Sequence, residues 1–190
     1  LSGEHNLKNS LATIAIAFTS GMTAEQIQTG FDTFKLPKRR LETIGTWHRA
    51  TVIDDFAHHP TAIHETLKAL RQKFPNKRII ACFEPRSNST TRNIFQHELT
   101  QCFDEAHTIV IGALNRPERY QASERLDTEA IANSLQANGK QVLTINTEQG
   151  AEANWGKHVY SFLEQIIQPN DVIILLSNGD FGGLRKMLVE

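Results

Sequence analysis

"TVIDDFAHHPTAIHET", residues 51–66, passes from an apolar stretch through a polar one to a helix pattern. Residues 51–53 are typical of a buried strand. Pro60 stands where proline is favoured, at the first position of a helix predicted over about 60–73. The sequence therefore predicts a strand, a polar loop and a helix in direct succession. This strand–loop–helix unit decides the fold class because the same succession recurs further along the chain.

Short apolar stretches alternate with helix patterns through the rest of the chain. Upstream, "KRRLETIGTWHRATVIDDF" (38–56) predicts two strands joined near His48 and Arg49. Strands that alternate with helices indicate a Rossmann-like, mostly parallel α/β sheet with helices on both faces. Further strands are predicted in "KRIIACFE" (77–84), "HTIVIGAL" (107–114), "KQVLTI" (140–145) and "DVIILLS" (171–177), and further helices at about 91–104, 127–138, 151–167 and from near Phe181.

A helical piece precedes this α/β region. Residues 6–20 carry apolar side chains at helical spacing, and Thr23 with Gln26 forms a capping-box pattern ahead of a second helix at about 24–34. Pro37 ends the piece. The apolar residues of the first helix are Leu7, Leu11, Ile14 and Phe18.

Composition excludes several classes of function. The chain has 190 residues, of which 39% are hydrophobic and 22% charged, and its net charge is -1. That balance gives no electrostatic reason to expect nucleic acid or an anionic membrane as a partner. We see no signal peptide or membrane-span pattern, and Cys82 and Cys102 read as buried thiols, so we expect a cytoplasmic protein. The chain starts at "LSGEHN" without a methionine, and we expect it to be a piece of a longer protein.

Four polar loops follow four of the predicted strands. Because the carboxyl ends of parallel strands meet at one edge of a sheet, these loops are expected to line a single crevice. They are "DDFAHHP" (54–60), "EPRSNSTTR" (84–92), "GALNRPERY" (112–120) and "SNGDFGG" (177–183).

The first loop is open to three interpretations. A metal site needs three or four convergent ligands, which adjacent residues rarely provide, so we predict none. Asp55 or His59 could instead cap the helix that begins at Pro60. A carboxylate at a strand end could also orient a substrate or accept a proton.

Two of the other loops also allow more than one interpretation. Arg86 could bind a carboxylate or phosphate, with hydroxyl and amide groups from Ser87 and Asn88, or the loop could end in a helix cap. The glycines of residues 177–183 could cradle an anion or allow close backbone packing. The chain contains no G-x-x-x-x-G-K-[ST] motif and so no P-loop.

The order of five motifs resembles that of the Mur ligase family. The resemblance spans essentially the whole chain and implies that residues 1–35 are the terminal helices of a central ATP-binding domain and residues 36–190 a complete C-terminal domain. The P-loop and the magnesium ligands would then lie in a missing part, so this chain alone is expected to be inactive. The motifs are "GEHNLKN", "KRRLE", "DDFAHHPTA", "EPRSNS" and "SNGDFGG".

In such ligases ATP, with Mg²⁺, phosphorylates a muramoyl carboxylate, and an amine attacks the acyl phosphate. "DDFAHHP", "EPRSNS" and "SNG-x-FGG" favour the branch that joins UDP-N-acetylmuramate to the tripeptide L-Ala-γ-D-Glu-meso-diaminopimelate in peptidoglycan recycling. A branch that adds L-alanine and a non-catalytic nucleotide-binding module are the alternatives.

The resemblance also assigns nucleotide contacts. His5, Asn6 and Asn9 match a motif that faces adenine, where amide and imidazole groups can pair with the base edge. Arg40 matches an arginine that reaches the ATP phosphates. Asp55 matches an aspartate that contacts the nucleotide and helps order the closed site.

The substrate contacts are expected on the other loops. His58 would lie near the incoming amine, Arg86 near a peptide carboxylate, and Ser87 and Asn88 beside it. The Asn115-Arg116 pair resembles, with Arg and Pro exchanged, an Asn-Pro-Arg recognition loop of the family's diaminopimelate-adding member.

Overall fold

The structure, a computed structural model, describes residues 3–35 and 37–189 except for the side chains of His5, Thr147 and Glu148. Six strands form one sheet in the order β1-β2-β6-β3-β4-β5. The strands are β1 (Glu42–Trp47), β2 (Ala50–Asp55), β3 (Ile79–Phe83), β4 (Thr108–Ile111), β5 (Gln141–Thr144) and β6 (Val172–Leu176).

The sheet is mostly parallel, as the sequence predicts. Strands β2, β6, β3, β4 and β5 run parallel to one another, and only the edge strand β1 is antiparallel, paired to β2 as a hairpin. Strand β6 is inserted between β2 and β3, so the last strand in sequence lies near the middle of the sheet. This position explains why all five residues of β6 are buried.

Helices cover both faces of the sheet. Odd and even residues of the central strands point to opposite faces, so Ile174 belongs to one apolar core and Ile173 to the other. One core packs under α3 and α4, and the other under α6 and α7. The helices are α1 (Glu4–Thr19), α2 (Ala24–Thr33), α3 (Pro60–Lys73), α4 (Thr128–Ala137), α5 (Thr147–Gly150), α6 (Gly156–Ile166) and α7 (Leu184–Met187).

The predicted helix at about 91–104 is wrong. The segment contains only two 3₁₀ helices, Asn93–Phe95 and Glu98–Thr100. Arg92 is extended and forms a β-bridge with Arg125, which prevents a helix from starting there. The Gln96 side chain then bonds both backbone groups of Asp127, donating to its carbonyl and accepting from its N–H. These long-range bonds outweigh the local helical spacing.

Two other helices begin later than predicted. The helix at about 151–167 starts at Gly156, after the separate short helix α5. The last helix starts at Leu184 because Phe181 and the two glycines after it have positive φ values. These residues turn the chain so that the Phe181 ring is buried against Trp155, with 5.1 Å between ring centroids.

The N-terminal helices form as predicted, with the capping box of Thr23 and Gln26 in place. Their apolar residues, however, remain exposed: Leu7 is 60% exposed, Leu11 57% and Phe18 67%. Among the described residues, a helical pair that leaves these apolar side chains in water does not form a core of its own.

His107 lies at the amino ends of the parallel strands, directly before β4, and in its neutral form it accepts a backbone hydrogen bond. His107 Nδ1 accepts the backbone N–H of Ile79 at 3.0 Å. Burial lowers the pKa of His107, and the cations of Arg71 and Lys140 lower it further. A folded-state pKa below the unfolded value of 6.5 means that the unfolded chain binds the proton more readily as the pH falls below that value.

We therefore expect the stabilisation from His107 to be present above about pH 6.5 and to be lost as the pH falls towards the lowered folded-state pKa. Urea unfolding of wild type and His107→Ala at pH 7.5 and 5.5 measures this. The difference in unfolding free energy between the two should shrink at pH 5.5. A constant difference would show that the ring nitrogen does not need to be neutral.

Candidate functional site

The four polar loops lie on one side of the sheet, beyond the carboxyl ends of the parallel strands, as predicted. They follow β2, β3, β4 and β6, which are parallel neighbours, so their carboxyl ends point the same way. Two cavities open on this side. We call them the helix-side cavity, between α1, α2 and β2, and the loop cavity, beyond β3 and β4.

The helix-side cavity has a volume of about 520 Å³. It brings together four residues that the family resemblance assigns to one nucleotide: Asn6, Asn9, Arg40 and Asp55. Apolar side chains such as Phe31 line the same space. Pockets of this size with a few convergent polar groups are typical of small-molecule sites. Amides for a base edge, an apolar wall and an exposed guanidinium fit the parts of a nucleoside triphosphate.

Asp55 fixes the chain segment that carries Arg40. Its carboxylate is 4% exposed and accepts two backbone N–H groups, from Leu41 at 2.7 Å and from Ala57 at 2.8 Å. The backbone of Phe56 also donates to the carbonyl of Arg39 at 2.9 Å. Asp55 therefore holds the linker after α2 against the end of β2, and this places Arg40 at the cavity.

The neighbouring Asp54 is the centre of a buried charge cluster that the sequence did not predict. Arg39 Nε lies 3.3 Å and Arg185 Nε 3.0 Å from its Oδ2 atom. Burial raises the pKa of the Asp54 carboxyl, and the two guanidinium groups offset part of that rise. Arg39 and Arg185 also donate to the carbonyl of Gly179, at 3.1 and 2.9 Å. The cluster thus joins the linker, β2 and the loop after β6.

The loop cavity has a volume of about 750 Å³ and carries side chains of both charges. Of the residues predicted to bind substrate, Arg86, Asn115 and Arg116 line it. The sequence did not predict the acidic residues that line this cavity, or one further arginine. These additional charged lining residues are Glu84, Glu118, Arg125, Asp127 and Glu129.

Arg86 is held from two directions at the entrance to this cavity. Its Nη1 atom lies 3.4 Å from Oε1 of Glu84, a carboxylate that is only 2% exposed. Glu84 also accepts the hydroxyl of Ser177. Asn115 Nδ2 approaches the carbonyl of Arg86 at 3.5 Å, so the loops after β3, β4 and β6 meet at this residue.

The remaining predicted substrate residues lie outside the cavities. The Ser87 hydroxyl is bonded within its own loop, 2.7 Å from Thr90 Oγ1. Asn88 Oδ1 lies 3.5 Å from the hydroxyl of Tyr120. His58 Nδ1 bonds the carbonyl of Phe56 at 2.9 Å, which leaves Nε2 as the ring atom available to a ligand. The His5 side chain lies outside the described residues.

His59 has the capping role that was one of the alternatives. It is the N-cap of α3, and its Nδ1 atom accepts the N–H of Thr61 at 3.3 Å. Within residues 3–35 and 37–189, no group of three His, Cys, Asp or Glu side chains is arranged to hold a metal ion. Among the same residues, no helix has the length and apolar character needed to cross a membrane.

Comparison with known proteins gives the family. Residues 39–179 match the family described as Mur ligase, glutamate ligase domain. The chain belongs to this family and comprises a Mur ligase C-terminal domain.

Individual relatives agree with this assignment. The UDP-N-acetylmuramate–L-alanine ligase of Desulfitobacterium hafniense is 31% identical over 189 residues, which is 100% of this chain and 40% of the relative. The murein peptide ligase of Psychrobacter arcticus is 30% identical with a TM-score of 0.72, over 100% of this chain and 37% of that one. A domain from a ligase of Haemophilus ducreyi, named as a putative UDP-N-acetylmuramate:L-alanyl-γ-D-glutamyl-diaminopimelate ligase, is 31% identical with a TM-score of 0.56, over 79% of this chain and 97% of that one. The chain therefore spans about two fifths of the length of its full-length relatives.

Proposed function

We propose that this chain is the C-terminal part of an ATP-dependent ligase that joins UDP-N-acetylmuramate to the tripeptide L-Ala-γ-D-Glu-meso-diaminopimelate, in peptidoglycan recycling in the cytoplasm. The observation that carries the proposal is the pair of cavities beside the carboxyl ends of the parallel strands, one lined by amide, arginine and apolar side chains and the other by side chains of both charges. Membership of the Mur ligase family supports the reaction class.

The proposed domain boundary lies between α2 and β1, with residues 1–35 belonging to a central domain and 36–190 to the C-terminal domain. The exposed apolar side chains of α1 support it, because a helix with Leu11 57% and Ile16 68% exposed needs a further surface to pack against. The P-loop and the Mg²⁺ ligands would lie in that central domain, and so this chain alone would not turn over.

In the proposed reaction, ATP supplies the phosphoryl group that activates the muramoyl carboxylate. Arg40 would neutralise charge on the phosphates, which is the main demand of phosphoryl transfer. Asp55 would keep Arg40 in place through the linker, since it bonds the N–H of Leu41 next in sequence. Asn6 and Asn9 would bind the adenine edge, and His5 is proposed beside them.

The loop cavity would hold the incoming peptide. A diaminopimelate-containing tripeptide carries several carboxylates and free amines, so it needs cations and anions together. Arg86, Arg116 and Arg125 would provide the cations, and Asp127 and Glu129, which line the same cavity, would provide the anions. His58, with Nε2 available, is proposed near the attacking amine, and Ser87 and Asn88 shape the loop that carries Arg86.

A second candidate is the ligation of L-alanine. The relative from Desulfitobacterium hafniense is named for that reaction, and its identity of 31% is close to the 30% of the murein peptide ligase. The size of the loop cavity, about 750 Å³, supports the tripeptide, because alanine has one carboxylate and one amine and would fill only a small part of it.

Phosphate release by the full-length parent protein tests the choice. With ATP, Mg²⁺ and UDP-N-acetylmuramate present, we expect release on addition of the tripeptide and none above background with L-alanine. A matched reaction with the dipeptide L-Ala-γ-D-Glu, which lacks only the diaminopimelate residue, measures how much that residue contributes to phosphate release. Release with L-alanine alone would contradict the tripeptide assignment, and no release with either amine would contradict the ligase itself.

A further inference from the structure

The side chain of Arg86 lies directly across Gly179, which comes from the loop after a different strand. A methyl group built on Gly179 would lie 2.7 Å from Arg86 Cδ and 2.8 Å from both Nε and Nη1. Carbon atoms in contact are normally about 3.5–4.0 Å apart. The φ of Gly179 is not positive, so backbone strain does not require glycine here. A methyl group here would instead have to displace the Arg86 side chain.

The loop that contains Gly179 is fixed from the other side. The Gly179 carbonyl accepts guanidinium N–H groups from Arg39 at 3.1 Å and from Arg185 at 2.9 Å. Both arginines are paired with the buried Asp54. The Gly179 N–H also donates to Ser177 Oγ at 2.8 Å. A side chain at position 179 would therefore displace the arginine rather than the loop.

Glu84 is the acidic partner of the Arg86 guanidinium. It lies at the end of β3 with 2% exposure, and its backbone N–H donates to the carbonyl of Leu176 at 3.1 Å. One carboxylate oxygen accepts the Ser177 hydroxyl and the other faces Arg86 Nη1 at 3.4 Å. A buried carboxylate with a fixed hydroxyl partner cannot follow the arginine if it moves, so it defines one position for the guanidinium.

We propose that Glu84 and Gly179 are positioning residues for Arg86, which together set the point where its guanidinium meets a carboxylate of the amine-bearing substrate. The inference rests on the proposed function in so far as Arg86 binds that substrate. Glu84 would act through its charge on the guanidinium and Gly179 through the space that it leaves for the arginine side chain, and the proposed role of each passes through Arg86.

A double-mutant cycle in the full-length parent protein tests the inference. The variants are Gly179→Ala, Glu84→Gln and Arg86→Ala, with each of the first two also combined with Arg86→Ala. We expect Gly179→Ala and Glu84→Gln each to raise KM for the amine substrate roughly tenfold, with kcat within about twofold of wild type. In the Arg86→Ala background both should add nothing further, because their effect passes through the arginine.

Additive effects on KM would overturn the proposal, as would an unchanged KM in the Gly179→Ala and Glu84→Gln single variants. A loss of kcat at constant KM would also overturn it, since displacement of a binding group does not give that pattern. Glu105→Gln is the matched control, because it removes a carboxylate 3.3 Å from Arg71 Nε at the opposite edge of the sheet. Its KM should equal that of wild type.

Failure of the proposed function is separable from failure of this inference. If the parent protein uses L-alanine and not the tripeptide, the substrate assignment is wrong, and the same cycle is then measured with L-alanine. Non-additivity with L-alanine would still support the positioning roles, whereas additivity would overturn them whichever amine is used.

Discussion

Asp55→Asn in the full-length parent protein is expected to lower kcat by about 100-fold or more, the scale seen when one preorganised polar group is lost from an active site. Both carboxylate oxygens of Asp55 accept backbone N–H groups, from Leu41 and Ala57. An asparagine amide offers one oxygen and one NH₂, and the NH₂ would face an N–H donor. The linker would then come away from β2, and Arg40 would leave the helix-side cavity.

The same change is expected to lower the unfolding free energy by about 1–3 kcal/mol, because one buried N–H loses its partner. Asp171→Asn is the matched control, since Asp171 is also buried, at 3% exposure, and pairs with Arg78 at the opposite edge of the sheet. It should cost stability without lowering kcat per folded molecule. Steady-state turnover and urea unfolding measure both effects. An Asp55→Asn enzyme with near wild-type turnover would remove Asp55 from the nucleotide site.

Asp54→Ala is expected to give the largest loss of stability, about 3 kcal/mol, the low end of the range for a buried ion pair broken from one side, because the side chains of Arg39 and Arg185 are 23% and 28% exposed. Burial of the carboxylate itself is unfavourable, as the raised pKa of Asp54 indicates. Its removal nevertheless leaves the guanidinium groups of Arg39 and Arg185 partly buried beside each other without a counter-charge. Their repulsion would loosen the loop that contains Gly179.

Urea unfolding of the 190-residue chain measures this effect. Glu152→Ala is the control, because Glu152 forms an ion pair with Lys157 on the surface and such pairs contribute little. Arg39→Ala and Arg185→Ala should each cost less than Asp54→Ala, since each leaves one arginine still paired with the carboxylate. A change below about 1 kcal/mol for Asp54→Ala would show that the cluster does not stabilise the fold.

Much of the fold could be predicted from local patterns. Pro60 marked the start of α3, which was predicted at about 60–73 and is Pro60–Lys73, and the connection between two strands near His48 and Arg49 was also predicted correctly. These features depend on neighbours in sequence, since proline fixes its own φ and periodicity reports which face is buried. The helix predicted at 91–104 was wrong because its conformation depends on Asp127 and Arg125, more than twenty residues away.

The candidate site, like the fold, could be predicted from the sequence only in part. The sequence indicated that four loops would share one edge, because parallel strands end on the same side, and it named Arg40, Asp55 and Arg86. Their roles in binding remain predictions.

By itself, then, the sequence determined the α/β class, the side of the sheet on which the polar loops lie and the polar residues available there. Only the tertiary structure decided which of them meet: β6 enters between β2 and β3, and this insertion brings Gly179 to Arg86 and the Arg39–Asp54–Arg185 cluster together. The physical reason is that burial leaves a periodic trace in the sequence, whereas the pairing of charges from distant strands depends on strand order, which no local pattern records.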